Sequence, residues 1–293
     1  MKILSHTDLI LNPDGSIYHL HLLPEDLAET VILVGDPGRV QQISAHFQKV
    51  EVRRENREFV CHTGSYRGKR ISALSTGIGT DNIDIVVNEL DALVSLDLKK
   101  RIPLDKPGQL KLIRLGTSGA LQEELEPGTI LMASVAGGFD GVYHFYRDEQ
   151  GINNKELSRA FLEHVPWHSG LPEPYFIKAS PELITRFAGV ADARGITLST
   201  PGFYAPQMRE LRIKPFNDKL IDAISSFRHG ELKVNNFEME CSALYALSSL
   251  LGHQALTMCV AIGNRVSLQF LDDYKPRVEE LIRVTLDKLS END

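Results

Sequence analysis

The sequence predicts an α/β fold in which residues 1–293 form a single domain, with a central mixed, largely parallel β-sheet flanked by helices. Short apolar runs rich in β-branched residues, typical of buried strands, alternate with segments whose apolar residues repeat at helical spacing. This alternation favours parallel strands joined by helices. Neither a change of composition nor an internal repeat divides the chain, so we expect no second domain.

Six segments are predicted as strands because they combine apolar and β-branched residues over the length of a strand. They are residues 30–35, 57–66, 69–76, 110–117, 128–135 and 254–263.

Four segments are predicted as helices. Over residues 80–96, apolar side chains recur at helical spacing, which predicts one face packed on the sheet. Residues 181–195, 240–251 and 276–289 are the other three, and Gly252 is expected to end the third helix. The polar, proline-containing segment 95–109 is predicted to be a surface insertion.

Composition limits the classes of function. The net charge of −7 argues against nucleic acid as a partner. Cys61, Cys241 and Cys259 fit no zinc or CxxC spacing, so we expect reduced core thiols in a cytoplasmic protein without a metal site. The N-terminus lacks the apolar run of a signal peptide, and no segment has the apolar length of a membrane span.

A short turn, GDPGR at residues 35–39, follows the first predicted strand. Asp36 can cap a helix, and Pro37 suits the first helical position. The backbone amide of Gly35 is not covered by a side chain, and Arg39 can reach the same point, which is suited to binding an anion. An anion would sit beside the turn, because a capping Asp36 would repel it on the helix axis. The alternative is an ordinary strand-to-helix turn with a surface arginine.

The segment RLGTSGA, residues 114–120, places an arginine inside an apolar strand. A buried Arg114 is costly unless an anion or hydrogen-bonding partners meet it, and a core carboxylate is the alternative partner. Residues 116–119 are predicted as a small-residue loop at the end of the strand, where ligands bind in open α/β sheets. A second glycine-rich turn, residues 75–82, is not GxGxxG, which disfavours a dinucleotide cofactor.

Two acids, Glu238 and Glu240, flank Met239 at the start of the helix predicted over residues 240–251. A carboxylate can accept hydrogen bonds from both hydroxyls of a ribose. The alternative is that the acids only complement the dipole of the helix.

The segment FYAPQMR, residues 203–209, combines an aromatic ring, an amide and a guanidinium in Phe203, Gln207 and Arg209. An amide can pair with the imide edge of a base, and a guanidinium can bind a carbonyl oxygen. The alternative is an exposed polar loop.

In this order, the motifs GDPGR, RLGTSGA, FYAPQMR and FEMEC resemble the nucleoside phosphorylase-I family, from about His19 to the last helix. The resemblance implies that inorganic phosphate cleaves a nucleoside. It also implies a homo-oligomer whose sites are shared across a dimer interface, with phosphate as co-substrate and no cofactor. Some relatives hold a monovalent cation at that interface through a glutamate equivalent to Glu58.

The resemblance also implies roles for individual residues, with catalytic roles for Arg114, Glu240 and Arg209. Phosphate would be bound by Gly35, Arg39, Arg114 and Thr117, and by Arg57 of the neighbouring subunit. Ribose would be bound by Glu238, Met239 and Glu240, and its 5′ end would be contacted by the neighbour's His19, with His21 a weaker choice. The base would be bound by Phe203, Gln207 and Arg209.

Purine-specific relatives carry an aspartate after the last core strand, where this chain has Gly263 and Asn264. The resemblance therefore favours a pyrimidine, with uridine converted to uracil and ribose 1-phosphate in pyrimidine salvage. Use of deoxyuridine or thymidine stays open. The alternatives are a purine nucleoside phosphorylase, a nucleosidase that uses water, and a non-catalytic nucleoside sensor.

Overall fold

The computed structural model describes residues 3–217 and 219–291 and confirms the predicted α/β class. The helices are α1 (Pro37–Ser44), α2 (Thr80–Ser95), α3 (Lys155–His164), α4 (Pro181–Arg186), α5 (Leu220–Ser226), α6 (Cys241–Leu251) and α7 (Lys275–Ser290). The strands are β1 (Thr30–Val34), β2 (Lys49–Asn56), β3 (Phe59–Tyr66), β4 (Lys69–Ser75), β5 (Leu96–Asp97), β6 (Ile102–Pro103), β7 (Lys111–Ala120), β8 (Ile130–Gly138), β9 (Tyr175–Lys178), β10 (Ala193–Ser199), β11 (Arg228–His229), β12 (Leu232–Glu238) and β13 (Gln254–Asn264).

One large mixed sheet contains every strand except β5 and β6, in the order β11-β12-β10-β8-β13-β7-β1-β4-β3-β2, with β9 paired to β8. Parallel pairings join β4, β1, β7 and β13 on one side, and β8, β10 and β12 on the other. Because parallel neighbours end at the same edge of the sheet, the turns after β1, β4, β7 and β13 lie together.

The sheet curls until β12 also pairs with β7, in antiparallel contacts between Asn236 and Ala120 and between Phe237 and Gly119. This pairing closes β7, β13, β8, β10 and β12 into a ring. The last residue of β12, Glu238, is thereby placed beside the end of β7.

Helices α2 and α6 pack against each other, and α6 packs on β8, β13, β10 and β9 of the sheet. The predicted apolar face of α2 is confirmed, since Ile83, Val86, Val87 and Leu90 are fully buried. The first two turns of α6 are buried on all sides, as expected for a helix held between elements. Gly252 ends α6 in the left-handed conformation, as predicted.

The helix predicted over residues 181–195 is wrong beyond its first six residues. Helix α4 ends at Arg186, and β10 begins at Ala193. A short helix followed closely by a strand produced one continuous apolar pattern in the sequence. Gly195 lies in that strand. The position requires glycine because a Cβ there would be 2.7 Å from the carbonyl oxygen of Lys233 in β12.

The loop predicted at residues 116–119 is also wrong, because β7 continues to Ala120. The small residues 116–119 belong to β7, which pairs with β13 along this stretch and with β12 at its last two residues. Small side chains here permit the close approach that closes the ring.

The predicted surface insertion at 95–109 is largely exposed and contains the β5–β6 hairpin. All three cysteines carry free thiols and are buried, as predicted. Within residues 3–217 and 219–291, no helix has the length and apolar character needed to cross a membrane.

Candidate active site

A cavity with a volume of about 980 Å³ lies where β1, β4, β7, β12 and β13 end. Most of the residues predicted to bind a ligand line it, although they come from four separated motifs. They are Gly35, Arg39, Arg114, Thr117, Phe203, Gln207, Arg209, Glu238, Met239 and Glu240. His19 and Arg57 do not line this cavity.

One end of the cavity is formed by the turn between β1 and α1. Asp36 caps α1 as predicted, with Oδ1 accepting a hydrogen bond of 2.8 Å from the amide of Gly38. Arg39 is buried and donates to the carbonyl of Leu115 at 3.3 Å, and no carboxylate among the described residues pairs with it. Burial and the nearby Arg114 lower the pKa of Arg39. A guanidinium with an unmatched charge therefore faces the cavity beside Gly35.

Arg114 in β7 is paired with both acids of the FEMEC motif. Its Nη1 lies 3.1 Å from Oε2 of Glu238, and its Nη2 donates to Glu240. Burial opposes the charge of Arg114, but Glu240 and Glu238 outweigh it and raise its pKa. The carboxylate partner left open by the sequence is thus present. Gly116 makes room for this side chain, because a Cβ there would overlap Nη1 of Arg114.

The two acids differ in their further contacts. Glu238 accepts hydrogen bonds from the backbone amides of Glu240 (2.9 Å) and Cys241 (3.0 Å), so it satisfies the N-terminus of α6. Glu240 instead accepts from the amide of Gly79 at 2.7 Å, in the second glycine-rich turn. Gly79 has φ 101°, which favours glycine. The turn that the sequence left without a role therefore fixes Glu240.

Glu238 should make stability depend on pH. Burial raises the pKa of Glu238 to about 7, an effect that Arg114 opposes. The ordinary pKa of a glutamate is 4.5, so as pH rises the unfolded chain loses this proton before the folded protein does. The contribution of Glu238 to the free energy of unfolding is full below pH 4.5 and declines between 4.5 and 7. We expect the difference in unfolding free energy between wild type and E238Q to decline over this window in urea titrations.

Glu182 provides a matched control. It is exposed, and a hydrogen bond from the hydroxyl of Ser180 lowers its pKa. The difference between wild type and E182Q should therefore stay level between about pH 5 and 8. A difference for E238Q that grows with pH would show that Arg114 outweighs burial.

The other end of the cavity is formed by the loop after β10. The guanidinium of Arg209 lies 3.8 Å from the centre of the Phe203 ring and also donates to Oε1 of Gln207. Gln207 is 2% exposed, and its Nε2 donates to the hydroxyl of Thr200 at 2.9 Å. Burial, with Arg265 nearby, lowers the pKa of Arg209 to about 10. The alternative of an exposed polar loop is therefore wrong for Gln207.

Arg265 was missed by the sequence analysis, although it follows Asn264 directly. Its Nη1 donates to the carbonyl of Gln207 at 2.9 Å, and the residue lines the cavity. Arg265 therefore ties the end of β13 to the loop of residues 203–209. An arginine just past a buried strand was the available signal, the same signal that pointed to Arg39.

Comparison with known proteins identifies the family. Residues 29–287 match the model of the phosphorylase superfamily. The chain belongs to this family. A uridine phosphorylase of Thermococcus kodakarensis is 31% identical over 259 residues, which are 88% of this chain and 80% of that protein. A DeoD-type purine nucleoside phosphorylase of Alkaliphilus metalliredigens is 30% identical over 241 residues, 82% of this chain and 84% of that one.

A solved structure supports the same assignment. The Trypanosoma brucei nucleoside phosphorylase described as showing uridine phosphorylase activity superposes with a TM-score of 0.87 and 29% identity. The match covers 96% of this chain and 99% of that chain. The resemblance to nucleoside phosphorylases is therefore confirmed, and with it the fold.

In this phosphorylase, His19 and Arg57 lie together on the surface. Asn56 donates from Nδ2 to the carbonyl of His19 at 2.8 Å, and the Arg57 guanidinium is 6.0 Å from the centre of the Tyr18 ring. Arg57 is exposed in the β2–β3 turn, and the next residue, Glu58, lines the cavity. The two residues predicted to act in a neighbouring subunit thus form one patch beside the cavity.

Within the described part of this phosphorylase, no three histidine, cysteine, aspartate or glutamate residues lie together as a metal site would require. Glu58 accepts a hydrogen bond from Nδ2 of Asn82 at 3.2 Å. The predicted independence from a metal and the role of a monovalent cation stay predictions.

Proposed function

We propose that this protein is a uridine phosphorylase, which transfers the ribosyl group of uridine to inorganic phosphate and releases uracil. One observation carries the proposal: a single cavity joins unmatched positive charge at Arg39, the carboxylate of Glu240, and the Gln207–Arg209 pair. These groups suit the phosphate, the sugar and the pyrimidine of one substrate pair.

Phosphate needs placement rather than activation, because it is already anionic. We assign phosphate binding to the backbone amide of Gly35 and to the side chains of Arg39 and Thr117. Arg57 of a neighbouring subunit and Arg114 add positive charge to the same site. A phosphate oxygen forms the bond to C1′ while the bond from C1′ to the base nitrogen breaks, with inversion at C1′. Holding the two reactants in this geometry supplies up to roughly 7–11 kcal/mol of the barrier in ideal cases.

The sugar gains positive charge as its bond to the base stretches. Glu240 is held by Arg114 and by the amide of Gly79, so its carboxylate is fixed before the nucleoside arrives. We assign it to the ribose hydroxyls, where its charge and that of phosphate stabilise the cationic sugar. Glu238 and Met239 complete this wall of the cavity.

The departing base carries the electron pair of the broken bond, which spreads onto the carbonyl oxygens of uracil. Arg209 and Gln207 bind this developing anion more tightly than neutral uracil, and Phe203 offers an aromatic face to the ring. Binding that strengthens in the transition state lowers the barrier.

Preference for a pyrimidine over a purine is supported by Asn264. Its Nδ2 donates to the carbonyls of Gln122 and Leu125, both at 2.8 Å, and its Oδ1 accepts from the amides of Val266 and Ser267. An amide engaged in this way has no proton to give to a purine. A purine nucleoside phosphorylase is the second candidate, because the relatives of this chain include that class.

The deciding experiment is incubation of the protein with uridine, inosine or methylthioadenosine, each with and without phosphate. We expect uracil and ribose 1-phosphate from uridine only when phosphate is present. Release of base without phosphate would indicate a nucleosidase. Binding of uridine without release of uracil would indicate a sensor. The oligomer, the cytoplasmic location and a role in pyrimidine salvage are part of the same proposal.

Asn264→Asp should destabilise the protein without creating purine activity. The variant loses two buried donors and sets a carboxylate against two carbonyl oxygens, which costs about 1–3 kcal/mol. Urea denaturation and an inosine assay measure the two effects. Asn154→Asp is the matched control, because Oδ1 of Asn154 only accepts a hydrogen bond at the start of α3, and aspartate can do the same. Cleavage of inosine by the Asn264 variant would contradict this assignment.

A further inference from the structure

The carboxylate of Glu89, on α2, is surrounded by donors from the segment that contains His19. It accepts hydrogen bonds from the backbone amides of His19 at 3.0 Å and Leu20 at 2.8 Å. It also contacts Nδ1 of the His19 ring at 2.6 Å. The backbone contacts fix the segment, and the ring contact fixes the direction of the imidazole.

This ring contact determines where the imidazole carries its hydrogen. An ionised carboxylate only accepts hydrogen bonds, so the hydrogen must be on Nδ1. In a neutral ring the other nitrogen, Nε2, then carries a lone pair. Within the described part of the chain Nε2 has no hydrogen-bonding partner, and the His19 side chain is 26% exposed. Its lone pair is available to a group from outside the protomer.

We propose that Glu89 is a positioning residue: it holds the hydrogen of neutral His19 on Nδ1, so that Nε2 accepts the 5′-hydroxyl hydrogen of a nucleoside bound in the neighbouring subunit. The inference rests on the proposed function and on sites shared between subunits. It adds a direction to the contact, because Nε2 receives the hydrogen and does not give it.

The variant Glu89→Gln separates this role from simple anchoring. The amide oxygen of glutamine still accepts from the backbone amides of His19 and Leu20. Its NH₂ group, however, donates to Nδ1 and moves the ring hydrogen to Nε2. At a pH at which the ring is neutral, ¹⁵N NMR of the full protein reports the tautomer of His19. We expect an Nδ1-H ring in wild type and an Nε2-H ring in E89Q, and a shared tautomer would overturn the proposal.

A substrate that only donates at its 5′ position provides the second readout. The ammonium of 5′-amino-5′-deoxyuridine suits a lone pair on Nε2 and opposes a hydrogen there. Relative to uridine, E89Q should lose about tenfold in kcat/KM for this analogue compared with wild type, since a hydrogen bond to a charged group is lost. With 5′-deoxyuridine, which has no polar group at that position, the two proteins should show the same ratio.

Asn56→Ala is the matched control, because it removes another hydrogen bond to the His19 segment, of 2.8 Å, without touching the ring. It should leave both the tautomer and the substrate ratio unchanged. An equal change in N56A would show that Glu89 only anchors the backbone, and would overturn the proposal. The NMR result stands even if wild type does not cleave uridine, so failure of the proposed function is recognised separately.

Discussion

Replacement of Arg39 by methionine should lower kcat/KM for phosphate by roughly 100- to 1000-fold. This corresponds to about 2.7–4 kcal/mol, by analogy with the loss of one donor to a developing anion. Arg39 lines the cavity beside Gly35 and forms no ion pair with a carboxylate within residues 3–217 and 219–291. Steady-state kinetics with phosphate varied at saturating uridine measure the effect.

The same substitution should not destabilise the protein in the absence of phosphate. Arg39 is buried with one neutral partner, the carbonyl of Leu115, and a buried charge without a counter-ion contributes little or negatively to stability. Wild type should gain thermal stability when phosphate is added, and R39M should lose most of that gain. Arg194→Met, at an exposed position of β10, should behave as wild type. An R39M protein with unchanged phosphate dependence would remove Arg39 from the phosphate site.

Arg209→Ala should reduce kcat for uridine by roughly 100- to 1000-fold, or about 2.7–4 kcal/mol, while the KM for phosphate stays nearly unchanged. The two effects should separate because the groups lie at different ends of the cavity. Arg209 contacts Phe203 and Gln207 at one end, whereas Arg39 and Arg114 lie at the other. If the guanidinium stabilises negative charge on the leaving base, the loss should be smaller with 5-fluorouridine, whose base is the more stable anion.

Arg212→Ala is a control within the same loop, because Arg212 is exposed and does not line the cavity. It should retain the kinetics of the wild type with both nucleosides. A collapse of phosphate affinity in R209A would show that the division of roles between the two ends is wrong. An equal loss with uridine and 5-fluorouridine would show that Arg209 acts in binding the base and not on its departure.

The parts of the site that sequence could predict depend on local chemistry. Asp36 and Pro37 specify the start of α1, and Gly252 specifies the end of α6, because each acts on backbone within a few residues. Phe203, Gln207 and Arg209 could be grouped as one candidate site because they lie in one short segment, and the structure places them in one loop in contact with each other. These predictions needed no knowledge of the topology.

The parts that sequence could not predict depend on contacts between distant segments. The partner of Arg114 stayed open because Glu240 is 126 residues further along the chain. The end of β7 was read as a loop because its glycines and serine are held in a strand by distant partners, β13 along residues 116–119 and β12 at Gly119. Gly79 was without a role until the fold brought its amide to Glu240.

The closure of the strand ring by β12 has a consequence for how the protein folds. Until Gly119 pairs with Phe237, Arg114 is joined to Glu238 and Glu240 only through a long loop of unpaired chain. Joining such remote segments is slow, since the entropy of a large loop must be lost before any contact compensates for it. Competence to bind ligand therefore requires this closure, because a chain whose ring is open has no assembled site.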